Sequence, residues 1–177
     1  MTMNMTYIEV LDMMLYFGER RKLWDKNYAG HEMPMGQDAY DDDEYIVKSQ
    51  LDFGTLMHMV GLPRSLLVKW VRRWDSPKLG MCTTAMVPWD LEKQGVDHNN
   101  SILTIKCNTM MPHPTLAHKS IITTLETNKM GGMPKWALKM IMSSTAPSMM
   151  SGLEKRYIQN VRNAHKTVDM TPEGRQK

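Results

Sequence analysis

Six histidines, at 31, 58, 98, 113, 118 and 165, and two cysteines, Cys82 and Cys107, are the side chains of this 177-residue chain best suited to hold a metal. A zinc site draws its ligands from short, regular spacings such as HxxxH or CxxC. No histidine pair here has that spacing, HExxH is absent, and the two cysteines lie 25 residues apart. The acidic run Asp38, Asp41, Asp42, Asp43 and Glu44 lacks the glycine and terminal glutamate of a calcium loop and reads as a solvated segment. Acid–base chemistry has Asp52 and His58 as its visible candidates, with no recognisable third group beside them. G-x-S-x-G, G-x-G-x-x-G and the phosphate-cradling P-loop are all missing. These residues point away from catalysis, and no metal or cofactor is expected.

The elements that would position a binding site are clearer. Residues 6–23 read as a helix in which Tyr7, Val10, Met14 and Phe17 share one face, with a break at Gly18 followed by a polar turn or short helix. Residues 29–44 read as a loop. From 45 onward the pattern becomes β: strands are expected at 45–53, 65–74, 81–87, 101–107 and 120–128. Pro77 and Gly80 mark a hairpin loop at 75–80, 88–100 is a longer surface loop, and Pro112 and Pro114 sit between the last two strands. Consecutive strands with short connections give an antiparallel meander. On the 65–74 strand, Leu66, Val68, Trp70 and Arg72 fall on one face and Leu67, Lys69, Val71 and Arg73 on the other.

A final helix is expected from about 134 to 164, opened by Pro134 and kinked near Pro147. Trp136 and Met140 share a face, as do Met150, Leu153, Tyr157 and Val161. From Lys129 onward, nine Lys or Arg stand against Glu154, Asp169 and Glu173, so this end is basic. The expected class is α+β: a curved antiparallel sheet closed by a long C-terminal helix over its concave face, a helix-grip fold. Residues 1–168 form one domain and 169–177 a flexible tail.

Composition narrows the function further. Net charge is +3, too small to argue for nucleic acid. No apolar run approaches ~18 residues, and Glu9 and Asp12 near the N-terminus are unlike a signal peptide. Two cysteines suit a reducing, cytoplasmic compartment. Methionine is abundant, 20 of 177, which suits irregular apolar surfaces and equally reflects genome composition bias.

Three segments resemble the START lipid-transfer domains. Arg21-Lys22-Leu23-Trp24-Asp25-Lys26-Asn27 is similar to the family's R-x-x-W-D-x-N stretch after a helix. Leu62-Pro63-Arg64 running into Trp70 and Trp74 is similar to the strand that opens with N-R-D. Gly131-Gly132-Met133-Pro134-Lys135-Trp136, leading to Ala146-Pro147 and a basic helix, resembles the G-x-x-P-K-W start of the closing helix. The phosphatidylcholine-carrier branch is the nearest in pattern. The resemblance spans about residues 6–165 and implies that a first helix and about three strands of the family are missing here. Ser65, Trp70 and Asn128 stand where the family has Asp, a cavity Arg and Asp, so headgroup preference does not carry over.

The resemblance implies a carrier or sensor of a phospholipid or sterol held in an apolar cavity. The cavity wall would be Leu66, Val68, Trp70, Arg72, Trp136, Met140, Met150, Leu153 and Tyr157. The last helix and the 75–80 loop would form the gate. Lys135, Lys139, Lys155, Arg156 and Arg162 would touch an anionic membrane peripherally, or else form a solvated helix face. Two other readings stay open: a small-molecule-binding or cyclase-type helix-grip enzyme, and a truncated remnant that binds nothing. Trp70 could equally fill a packed core, and Trp24 and Asp25 read as structural.

Overall fold

The computed structural model describes residues 1–36, 42–52, 54–55, 65–76, 80–87, 101–129 and 149–176. Seven strands form one sheet: β1 (Thr2–Met3), β2 (Tyr28–Glu32), β3 (Glu44–Leu51), β4 (Ser65–Ser76), β5 (Met81–Val87), β6 (Ser101–Pro112) and β7 (Ser120–Lys129). Their order is β1-β7-β6-β5-β4-β3-β2, antiparallel at every neighbouring pair, and the sheet curls into a half-barrel. Near one end β4 also reaches β6 in parallel, Ser65 opposite Ser101 and Leu66 opposite Ile102. The five expected strands are present.

Two strands were not expected. β2 lies inside the stretch read as a loop; its sequence, YAGHE, carries almost no β signal and gains its form by pairing with β3. β1 is two residues long, below what periodicity can register, and pairs with Ser120 and Ile121. β6 also runs five residues past its expected end. Pro112 is tolerated there because it is the last residue of the strand.

The helix α1 (Tyr7–Leu15) begins with a capping box: Thr6 Oγ1 accepts from the Glu9 amide at 3.4 Å, and Glu9 Oε2 accepts from the Thr6 amide at 2.8 Å. Val10, Leu11, Met13 and Leu15 are buried, together with Glu9 and Asp12. That is wider burial than the single apolar face expected, because α1 meets β6 and also the C-terminal segment. After Gly18 a 3₁₀ turn follows (Glu19–Leu23).

The C-terminal helix α2 is helical from 149 to 157 and closes with a π-helical turn (Ile158–Arg162). Its described length is 14 residues, short of the long helix expected; the part read at 134–148, including Pro147, lies outside the described residues. The face foreseen for it is the one that packs: Leu153, Tyr157 and Val161 are buried in the core and Met150 lies against them.

Residues 169–176, expected as a tail, make contacts with the rest of the chain. Met170 is fully buried, and Thr171 caps a short helix α3 (Pro172–Arg175). Arg175 Nη2 then donates to Asp43 Oδ1 at 2.9 Å, and its guanidinium lies over the Trp74 ring.

Candidate functional site

Strand register sets what the concave face carries. Residues opposite one another share a face, so Tyr45, Trp70 and Met86 form one row across β3, β4 and β5. Arg72, Thr84, Asn108 and Thr124 form the next, across β4 to β7. Cys82, Met110 and Ile122 form a third. The first and third rows are buried, as are Arg72, Thr84 and Asn108. The face that carries Trp70, which the resemblance implies for the cavity, is therefore the inward one.

The polar row is tied together by hydrogen bonds. Asn108 Nδ2 donates to Thr84 Oγ1 at 3.1 Å, and Thr124 Oγ1 donates to Asn108 Oδ1 at 3.0 Å. Arg72 Nε donates to Asp43 Oδ1 at 2.9 Å, and Nη2 donates to the Asp42 carbonyl. Part of the acidic run is thus tied to the interior cation rather than only solvated. Burial pushes the Cys82 thiol up to about 12, so it stays protonated and behaves as a small apolar group.

Aromatic groups line the row beside it. Tyr45 and Trp70 stack with centroids 6.2 Å apart and planes 12° from parallel. Phe17, between α1 and the 3₁₀ turn, meets both edge-on at 6.1 and 5.8 Å, and approaches His31 at 6.3 Å. His31 Nδ1 lies 2.5 Å from Tyr28 Oη. Burial lowers the His31 pKa, which favours the neutral ring. Buried methionines fill much of the remaining core: Met3, Met5, Met13, Met86, Met110 and Met170.

A polar clamp joins α2 to α1. Asp12, fully buried, takes the Arg20 guanidinium on both oxygens, the Tyr157 hydroxyl at 2.5 Å and the Val168 amide at 3.3 Å. Burial and the Asp12 charge both raise the Tyr157 pKa, so its hydroxyl remains a donor. Glu9 takes Arg162 Nε at 2.5 Å and Nη2 at 2.6 Å. Burial opposes ionisation of Glu9, but its bonds to Arg162 and Thr6 outweigh that and hold its pKa below the usual value. Trp24, fully buried, packs edge-on against Tyr157 at 5.3 Å, and its carbonyl accepts from Arg156 Nε at 2.7 Å. The R-x-x-W-D-x-N segment is therefore the seat of α2: Asp25 binds Arg21 Nε and caps the Asn27 amide, each at 3.2 Å.

Of the expected wall residues, Leu66, Trp70, Met150, Leu153 and Tyr157 meet in one core cluster, and Arg72 lies beside it on the same face. Val68 pairs with Val47 in the ladder, but its side chain lies outside the described residues, as do Trp136 and Met140 entirely. Of the expected docking residues, Lys155 is exposed, while Arg156 and Arg162 hold the internal bonds above. Lys135 and Lys139 lie outside the described residues. Asp52 Oδ1 accepts from the Gly54 amide at 2.8 Å in a local turn, and its suggested companion His58 lies outside the described residues. Tyr45, Phe17 and Asp43 were not foreseen. Alternation along 45–49 would have placed Tyr45, Val47 and Ser49 on one face, but nothing local indicates which strand that face meets.

The curled antiparallel half-barrel with few helices matches the START, or helix-grip, fold. Among solved structures the chain is similar to human StAR-related lipid transfer protein 5, with a TM-score of 0.66 over 93% of this chain and 74% of that one, at 16% identity. The likeness is one of fold. No family model and no curated protein sequence matches the chain.

Proposed function

We propose that this protein holds one lipid, a phospholipid or sterol, within the grip and carries or senses it without chemical change. The observation that supports this is the make-up of the interior. A START fold encloses a concave face whose core is rich in methionine, and flexible thioethers can repack around an apolar guest. Each methylene kept from water contributes about 0.8 kcal/mol, so a lipid leaving a bilayer unaided faces a barrier on the order of tens of kcal/mol. A closed apolar interior removes most of that barrier.

Loading needs an opening. The Asp12 and Glu9 bonds hold the C-terminal half of α2, so the gate that spares them is the segment leading into Leu153, together with the 75–80 loop. Membrane contact would fall to Lys135, Lys139 and Lys155, since Arg156 and Arg162 are engaged internally. Each lysine near an anionic surface contributes about 1 kcal/mol, screened within ~8 Å at physiological salt.

The test is lipid pickup from vesicles, read by extracting the re-isolated protein. From phosphatidylcholine vesicles with added phosphatidylserine and cholesterol, about one lipid per chain is expected, loaded faster at low salt than at high. Changing the three lysines to glutamine should slow loading from anionic vesicles at least tenfold, by the magnitude above, and leave neutral vesicles unaffected. No lipid on the protein would overturn the binding reading. An unchanged triple variant would overturn the docking face.

A further inference from the structure

Two neighbouring aromatic side chains on the concave face each carry a buried hydrogen-bond donor with nothing to bond to. Tyr45 and Trp70 are opposite one another on β3 and β4, 1% and 4% exposed. Tyr45 Oη and Trp70 Nε1 are both buried without a hydrogen-bond partner. A buried donor left unmade is costly and uncommon in native proteins, and two side by side on stacked rings call for an explanation. Burial raises the Tyr45 pKa, so the phenol keeps its proton, and an indole N–H can only donate. The missing group must therefore be an acceptor.

It should also be uncharged. The buried charged residues among those described are Glu9, Asp12 and Arg72, and each has its counter-charge: Arg162, Arg20 and Asp43. An anion placed at Tyr45 and Trp70 would leave water at high desolvation cost, and Arg72, the buried cation described on this face, is already bonded to Asp43. A carbonyl oxygen has two lone pairs and no charge, so it can accept from both donors at once. Neither polar atom reaches solvent, and Phe17 is the ring packed edge-on against both. Phe17 belongs to the connection between α1 and the 3₁₀ turn, next to Gly18, rather than to a strand.

We propose that Tyr45 Oη and Trp70 Nε1 together recognise a neutral carbonyl, ketone or ester, on the apolar ligand, and that Phe17 moves aside to admit it. This rests on the lipid-binding reading above and deepens it. A ligand carrying such a group satisfies both orphan donors, whereas a bare hydrocarbon of the same shape leaves them unmade.

The test uses the full chain and two matched series delivered from cyclodextrin: cholestan-3-one against cholestane, and methyl palmitate against hexadecane and palmitate. Bound ligand is quantified by mass spectrometry after gel filtration. Which frame binds tells whether the carbonyl comes from a ketosteroid or an acyl ester. In that frame the carbonyl compound should bind roughly tenfold or more tighter than its hydrocarbon, the effect of two hydrogen bonds. Tyr45→Phe should weaken the carbonyl compound about 5-fold and leave the hydrocarbon unchanged, and Trp70→Phe should weaken the carbonyl compound about 5-fold more than the hydrocarbon. Tyr45→Phe should not lower the Tm of the empty protein, because it removes a donor that bonds to nothing, whereas Trp70→Phe also deletes buried ring volume and should lower it.

Equal affinity for carbonyl and hydrocarbon would overturn the assignment while leaving lipid binding intact. So would palmitate binding tighter than methyl palmitate, or variants that lose the hydrocarbon equally. Failure of every compound to bind would overturn both readings.

Discussion

Asp12→Ala should lower stability by about 3–5 kcal/mol, the cost of removing one partner from a buried ion pair. The carboxylate is fully buried and serves four donors from three elements: both arms of Arg20, the Tyr157 hydroxyl and the Val168 amide. Without it, the Arg20 guanidinium, 16% exposed, keeps the Lys166 carbonyl at 2.6 Å, and the buried Tyr157 hydroxyl keeps only a long contact of 3.5 Å to Thr167 Oγ1. For a domain of this size each kcal/mol shifts Tm by about 2–4 °C, so thermal denaturation should show a fall of roughly 6–20 °C. Asp12→Asn should fall less, since an amide oxygen can still accept from Tyr157. Glu19→Ala, which breaks the exposed pair with Lys22, provides the comparison and should change stability by no more than about 1 kcal/mol. An Asp12→Ala variant as mild as Glu19→Ala would show that α2 does not depend on this clamp.

Leu153→Asp should be similarly severe. Leu153 is 8% exposed and packs in the core cluster with Tyr157 and Val161. Burying an unpaired carboxylate there costs several kcal/mol, or else forces that part of α2 off the sheet. The second outcome is distinguishable. Hydrogen exchange should rise over 149–157 while β4 to β6 remain protected, and vesicle pickup of lipid should fail. A variant that keeps its Tm, its protection and its lipid would mean that α2 closes nothing.

The strands were legible where β-branched and aromatic residues accumulate, as in SLLVKWVRRW and SIITTLETN. β2 was not, because Ala29 and Gly30 carry no such signal and the strand exists only through its ladder to β3. Alternation, a local property, separated the two faces of β4, and the family resemblance chose the inward one. Neither placed the neighbouring Tyr45, because cross-strand register depends on a partner some 25 residues away in sequence. The same limit explains Arg156 and Arg162. As letters they add to a basic helix suited to a membrane; in the fold they meet the Trp24 carbonyl and Glu9, more than 130 residues earlier. Met170 and Arg175 were read as tail for the same reason, since Asp43 is equally remote.

The central claim is that the grip holds a lipid, and native mass spectrometry of the protein purified from cells tests it most directly. The expected result is a population heavier than the 20.5 kDa chain by the mass of one lipid, released on activation and identified from the same sample. A protein that is folded, keeps the thermal behaviour described for its clamp, and flies only at its bare mass even after incubation with vesicles would contradict it.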